Sequence, residues 1–182
     1  MHKHPFFEQD PQYFCLTLVG MPGSGKSTLA QSLAIELEWA FVDTDLLLEA
    51  WYGLPLEELR TRLGNSSFLQ AEEQIVLSLW LQRCIIATGG SVIYSQQAIK
   101  KLKKMGQIIY LQASYETIAS RVSQHPQRGL ILQPKQSLRD IYLERSPLYQ
   151  TAADLVLSTE ENSIHQCVKK IKDWMHASQL QP

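Results

Sequence analysis

Several things are scarce in this chain, and each scarcity excludes something. No run of about 18 consecutive apolar residues occurs, so no membrane span is predicted. Charge of one sign is not in surplus. The 17 Lys and Arg stand against 18 Asp and Glu, a net charge of −1 that gives no general attraction to nucleic acid or to an anionic membrane. The one basic cluster, Lys100, Lys101, Lys103 and Lys104, precedes Gly106 at the end of a helical pattern. Cations there complement a helix dipole, so it reads as a solvated helix end. Cysteine is rare. Cys15, Cys84 and Cys167 are odd in number and show no C-x-x-C spacing, which argues against a disulfide framework or a cysteine zinc site. Buried free thiols in a reducing cytoplasm are expected instead. Residues 1–12 carry Glu8 and Asp10 and no apolar core, so they read as a polar tail and not a secretion signal.

What is present suits one domain. The 182 residues are 45% hydrophobic, enough for a core, and no Gly-, Ser- or Pro-rich linker divides them. Five short β-prone runs, near 14–19, 40–43, 84–88, 107–111 and 153–157, alternate with helical patterns. That alternation predicts a parallel, doubly wound α/β sheet with helices on both faces. Residues 46–81 read as helical, interrupted at Gly53-Leu54-Pro55 and Gly64-Asn65, with Ser66 or Ser67 as an N-cap. A later helix is predicted over 137–145.

The densest signal is Gly20-Met21-Pro22-Gly23-Ser24-Gly25-Lys26-Ser27-Thr28, which fits G-x-x-x-x-G-K-[ST]. It follows an apolar strand and precedes a helix marked by Leu29, Leu33, Ala34 and Leu37, the context this phosphate loop requires. Gly23, Ser24, Gly25, Lys26, Ser27 and Thr28 are therefore candidate nucleotide-binding residues. Backbone N–H groups cradle phosphate, Lys26 reaches the β/γ-phosphates and Ser27 offers its hydroxyl to Mg²⁺. Two further strands end in polar motifs, Asp43-Thr44-Asp45 and Thr88-Gly89-Gly90. In a parallel sheet all three motifs converge beyond the strands' carboxyl ends.

With those motifs, Arg121, Arg128 and Arg145-Ser146-Pro147-Leu148-Tyr149, the chain resembles the shikimate kinase family over residues 14–175. The resemblance implies a three-layer P-loop fold whose sheet runs in the order 2-3-1-4-5. It implies a substrate cap over about 45–81 and a short lid over about 124–134. It implies ATP-dependent phosphorylation of shikimate at an alcohol group, in aromatic amino-acid biosynthesis, by a cytoplasmic monomer with Mg²⁺ as cofactor. Asp43 would help Ser27 hold Mg²⁺, and Asp45 would orient the acceptor hydroxyl. Gly89 and Gly90 would let backbone N–H groups approach the substrate, Arg145 would pair with its carboxylate, Arg121 would stack on adenine, and Arg128 would close over the phosphates. Catalysis would rest on Lys26, Asp45 and Arg128. Read from the residues alone, Asp45 has a second reading as a helix N-cap, Gly89-Gly90 as a plain turn and Arg145 as a helix-end arginine.

The chain departs from the family in two places. Where the family usually has Phe-Arg in its cap helix, followed by a glutamate, this chain has Phe68, Leu69 and Glu72. Ser91 stands where a third glycine is usual. Leucine donates no hydrogen bond, so either Arg60 or Arg62 replaces the missing carboxylate clamp, or the acceptor is a smaller hydroxy acid such as homoserine. A nucleotide-binding module without catalysis is the alternative class.

Overall fold

The computed structural model describes residues 14–124 and 136–180. Its sheet has five parallel strands: β1 (Cys15–Val19), β2 (Ala40–Asp43), β3 (Cys84–Ala87), β4 (Gly106–Gln112) and β5 (Leu155–Ser158). Their spatial order is β2-β3-β1-β4-β5, as expected. Every residue of β1 and β3 is buried, and they pair in register from Cys15 opposite Cys84 to Leu18 opposite Ala87. A strand covered on both faces has no polar side to show, which is why these segments read as unbroken apolar runs.

Alternate residues feed two cores. Leu16, Leu18, Ile85 and Ile109 pack against α1 (Lys26–Leu37) and α7 (Ile164–Ala177). On the other face Val19, Ile86, Ile108 and Tyr110 meet side chains of α3 (Leu56–Ser78), α4 (Gln96–Met105), α5 (Tyr115–Ser123) and α6 (Leu138–Ala152). Cys15, Cys84 and Cys167 are all buried free thiols. From β1 the chain goes to one side for β2 and β3 and to the other for β4 and β5. The crevice therefore opens beyond the carboxyl end of β1.

Between β2 and β3 the chain builds a third apolar cluster from α2 (Thr44–Tyr52) and α3: Leu48, Leu59, Phe68, Ala71 and Ile75. The predicted break at Gly53 is present, as the C-cap of α2. The break at Gly64 is a single residue outside helical geometry, with φ 68° and ψ 168°. It kinks α3 and divides it into two helical stretches, as expected; the second stretch is already under way at Ser66 and Ser67, so neither is its N-cap.

Helix α6 also departs from expectation. It runs through Pro147 to Ala152, well past Arg145. Proline removes one backbone donor and disturbs the carbonyl four residues back. That carbonyl belongs to Leu143, whose residue is 62% exposed, so water can serve it. Meanwhile Ile141, Arg145, Tyr149 and Ala152 keep one buried stripe. Packing along that stripe outweighs the local penalty.

Candidate active site

The loop after β1 turns tightly. Gly25, the N-cap of α1, has φ 95°, and Gly23 has φ 81°, values costly for any residue with a Cβ. Lys26 opens α1 and is buried; its ammonium donates to the carbonyls of Gly20 and Met21, both at 2.9 Å. The loop thus holds the cation against itself beside the helix N-terminus, where anions are favoured. A cleft of about 330 Å³ continues past Ser24, Gly25 and Thr28 to Arg121, Thr159 and Asn162. Arg121 bridges its walls, donating to the carbonyls of Gly23 at 3.1 Å and Thr159 at 3.4 Å.

Ser27 donates to Asp43 Oδ2 at 2.7 Å, joining the first turn of α1 to the end of β2. Asp43 Oδ1 accepts from the Asp45 N–H at 2.9 Å and so caps α2. The capping role falls on Asp43, which leaves the Asp45 carboxylate to the cleft. Two hard oxygens, one hydroxyl and one carboxylate, suit Mg²⁺, which takes few protein ligands and keeps waters or phosphates on its other positions. Among the described residues no group of three or more His, Cys, Asp or Glu forms a metal cage.

Gly89 and Gly90, after β3, are where the rest converges. A Cβ on Gly89 would collide with Glu72 Oε1 and lie 2.7 Å from Asp45 Oδ1. A Cβ on Gly90 would lie 3.2 Å from Arg145 Nη1 and 3.0 Å from Pro22. Asp45, Glu72, Arg145 and the phosphate loop therefore meet around two adjacent residues. The Gly89 N–H donates to Thr44 Oγ1 at 3.1 Å, and its missing side chain leaves room for Asp45 and Glu72.

The carboxyls here are not ordinary. Burial, then the neighbouring Asp43 carboxylate, pushes Asp45 up to about 6, against the opposing pull of Lys26 and Arg60. Desolvation makes it a stronger base than a carboxylate in water. Glu72, 6% exposed, is pushed to about 7 chiefly by burial and also by Asp45. Ser91 donates to Glu72, and the charges of Arg145 and Arg60 also favour its ionised form.

Arg145 is 2% exposed. Its Nε donates to the Tyr94 hydroxyl at 3.1 Å, and its guanidinium lies 4.9 Å from the centre of that ring. One helical turn on, Tyr149 stacks on Tyr110 at 5.2 Å and donates its hydroxyl to the Gly90 carbonyl. The Arg-Ser-Pro-Leu-Tyr motif thus places a cation and an anchor on one face of α6, four residues apart. Of the two candidate replacement arginines, Arg60 turns inward: its side chain is 13% exposed and its guanidinium sits 5.0 Å from the Phe68 ring centre. Arg62 is 62% exposed and bonds Glu58. Arg128 and nearly all of the expected lid lie outside the described residues.

Three groups here escaped the sequence reading: Thr44, Tyr94 and the anchoring role of Tyr149. Thr44 lies within Asp-Thr-Asp and could have been suspected. Tyr94 meets Arg145 across 51 positions and carries no local signal.

A family model described as shikimate kinase matches residues 22–176. The shikimate kinase of Paracidovorax citrulli is 36% identical over 149 residues, covering 79% of this chain and 81% of that one. That of Pseudomonas fluorescens is 34% identical over 170 residues, covering 92% and 98%. Among solved structures, shikimate kinase from Acinetobacter baumannii in complex with shikimate superposes with a TM-score of 0.84 at 28% identity, covering 92% of this chain and 96% of that one. The enzyme from Aquifex aeolicus, at 24% identity and a TM-score of 0.78 over 91% and 98%, shares the fold. Motif order, sheet topology and these likenesses over most of the chain agree: the protein belongs to the shikimate kinase family.

Proposed function

We propose that the protein transfers the γ-phosphoryl group of ATP to a hydroxyl of shikimate, yielding 3-phosphoshikimate and ADP. The observation that carries this is the convergence at Gly89 and Gly90, with Asp45 against one glycine and Arg145 against the other, beside the loop that bears Lys26. ATP would lie with its base in the cleft at Arg121 and its phosphates on the loop N–H groups and Lys26. Ser27 and Asp43 would hold Mg²⁺, which offsets charge on the phosphates. Arg145 would take the acceptor carboxylate with its planar fork. Asp45 would accept a hydrogen bond from the reacting hydroxyl and aim its oxygen at phosphorus. The new O–P bond forms as the bond to the β–γ bridging oxygen breaks, ADP leaves, and Asp45 takes the proton. Such a transition state asks mainly for positioning and charge stabilisation. Arg128 would add charge stabilisation from the lid. A cytoplasmic monomer is the form we propose.

Leu69 favours a second reading, a smaller hydroxy acid such as homoserine as acceptor. Following ADP release with Mg·ATP and a panel of hydroxy acids separates the two. Shikimate is expected to be the best acceptor; faster release with a small hydroxy acid would replace it. Tight ATP binding with no acceptor-dependent ADP release would make the protein a nucleotide-binding module.

A further inference from the structure

The inward turn of Arg60 is unexplained by packing alone. Its Nη1 holds Glu57 at 3.0 Å, a pair at the rim where Glu57 is 56% exposed. Such a pair contributes little. Its Nε is buried and, among the described residues, has no hydrogen-bond partner. An arginine donor kept from both water and protein is unfavourable until something accepts from it. The stem lies over Phe68, which itself belongs to the α2–α3 apolar cluster, so the head is held in place and not left to wander. Arg62 cannot share this position, since two residues along a helix is roughly 200° of turn.

Phe68, which carries the head, stands one helical turn before Glu72 on α3, and Glu72 meets Asp45 at Gly89 with Arg145 at the adjoining Gly90. Arg60 therefore lies on the α3 side of the Asp45–Glu72–Arg145 group, and its charge favours the ionised form of Glu72. An anion bound there would be the non-reacting acid end of the acceptor. Resting on the functional reading above, we infer that Arg60 is a specificity-determining contact: with Arg145 its guanidinium pairs with the carboxylate of the acceptor. The site selects a hydroxy acid over the matching neutral alcohol or ester, and it does so with an arginine from the first half of α3.

The test uses the full chain and three variants, Arg60→Met, Arg60→Lys and Arg62→Met. Methionine keeps the apolar stem over Phe68 and removes the charge. Acceptor KM, ATP KM and the ratio of kcat/KM for the acid to that for its methyl ester are measured. Arg60→Met is expected to raise acceptor KM by about tenfold to a hundredfold, to leave ATP KM unchanged, and to cut the acid-over-ester ratio in proportion. Arg60→Lys should recover part of that ratio, and Arg62→Met should match the wild type. An unchanged acid-over-ester ratio in Arg60→Met overturns the inference, as does a loss falling equally on ATP and acceptor. Shikimate and its methyl ester are the first pair. Rejection of shikimate by the wild type sinks the functional reading instead, and the ratio is then taken with the hydroxy acid that the panel identifies.

Discussion

At the scale of single residues, burial tunes the chemistry. Glu72 sits among Asp45, Ser91, Arg145 and Arg60, and its pKa rises from an ordinary 4.5 to about 7 because burial outweighs the favourable partners. Between those values the folded chain holds a proton that the unfolded chain has released. Stability therefore falls as pH rises through that window, and the loss is complete above about 7. Denaturant midpoints at pH 5 and pH 8 check this. The wild type should lose more stability between them than Glu72→Gln, in which nothing titrates at that position; parallel losses would contradict it. Arg145 gives a second prediction. Lysine keeps its charge but not the planar fork, so Arg145→Lys should raise acceptor KM by about tenfold to a hundredfold with ATP affinity unchanged. Isothermal titration with each ligand separates the two effects. Much at this scale was legible. Lys26, Ser27, Asp43, Asp45 and Arg145 each come from a motif whose spacing carries its chemistry. The choice of Asp43 over Asp45 as N-cap was not, because both are good caps and only the placement of the α2 start decides. Nor was the hydrogen bond from the Gly89 N–H to Thr44, made across 45 positions.

At the scale of elements, α2 and α3 depend on a small cluster of their own. Phe68 is 1% exposed, packs with Leu48, Leu59, Ala71 and Ile75, and supports the Arg60 guanidinium. Phe68→Ala should cost about 3–5 kcal/mol, measured by chemical denaturation. It should also weaken acceptor binding more than ATP binding, since the phosphate loop lies on another core; equal weakening of both would contradict that separation. Phe68, Ala71 and Ile75 recur at helical spacing in the sequence, and they are buried together on α3. The continuation of α6 through Pro147 was not legible there. Proline is a local stop signal, and the buried Arg145–Tyr149 stripe that overrides it is a tertiary fact. The break at Gly64 was legible, since a glycine inside a helical pattern marks an interruption, and α3 kinks there between two helical stretches.

At the scale of the whole molecule, the strand order turns scattered motifs into one cleft. Putting β1 between β3 and β4, with β2 beyond β3, brings the ends of β1, β2 and β3 side by side. Residues 20–28, 43–45 and 88–90 become neighbours, and α6 adds Arg145 from the last third of the chain. Strand alternation predicted the parallel sheet, but its order came from the resemblance, because nothing local dictates which strands pair. The account stands on the Asp45 carboxylate aiming a hydroxyl at the phosphate held near Lys26. The most direct test is acceptor-dependent ADP release with Mg·ATP and shikimate, run on the wild type and on Asp45→Asn side by side. The account predicts steady release by the wild type and a rate lower by about a hundredfold to ten-thousandfold in Asp45→Asn, with ATP binding retained. Equal rates in the two proteins would contradict it.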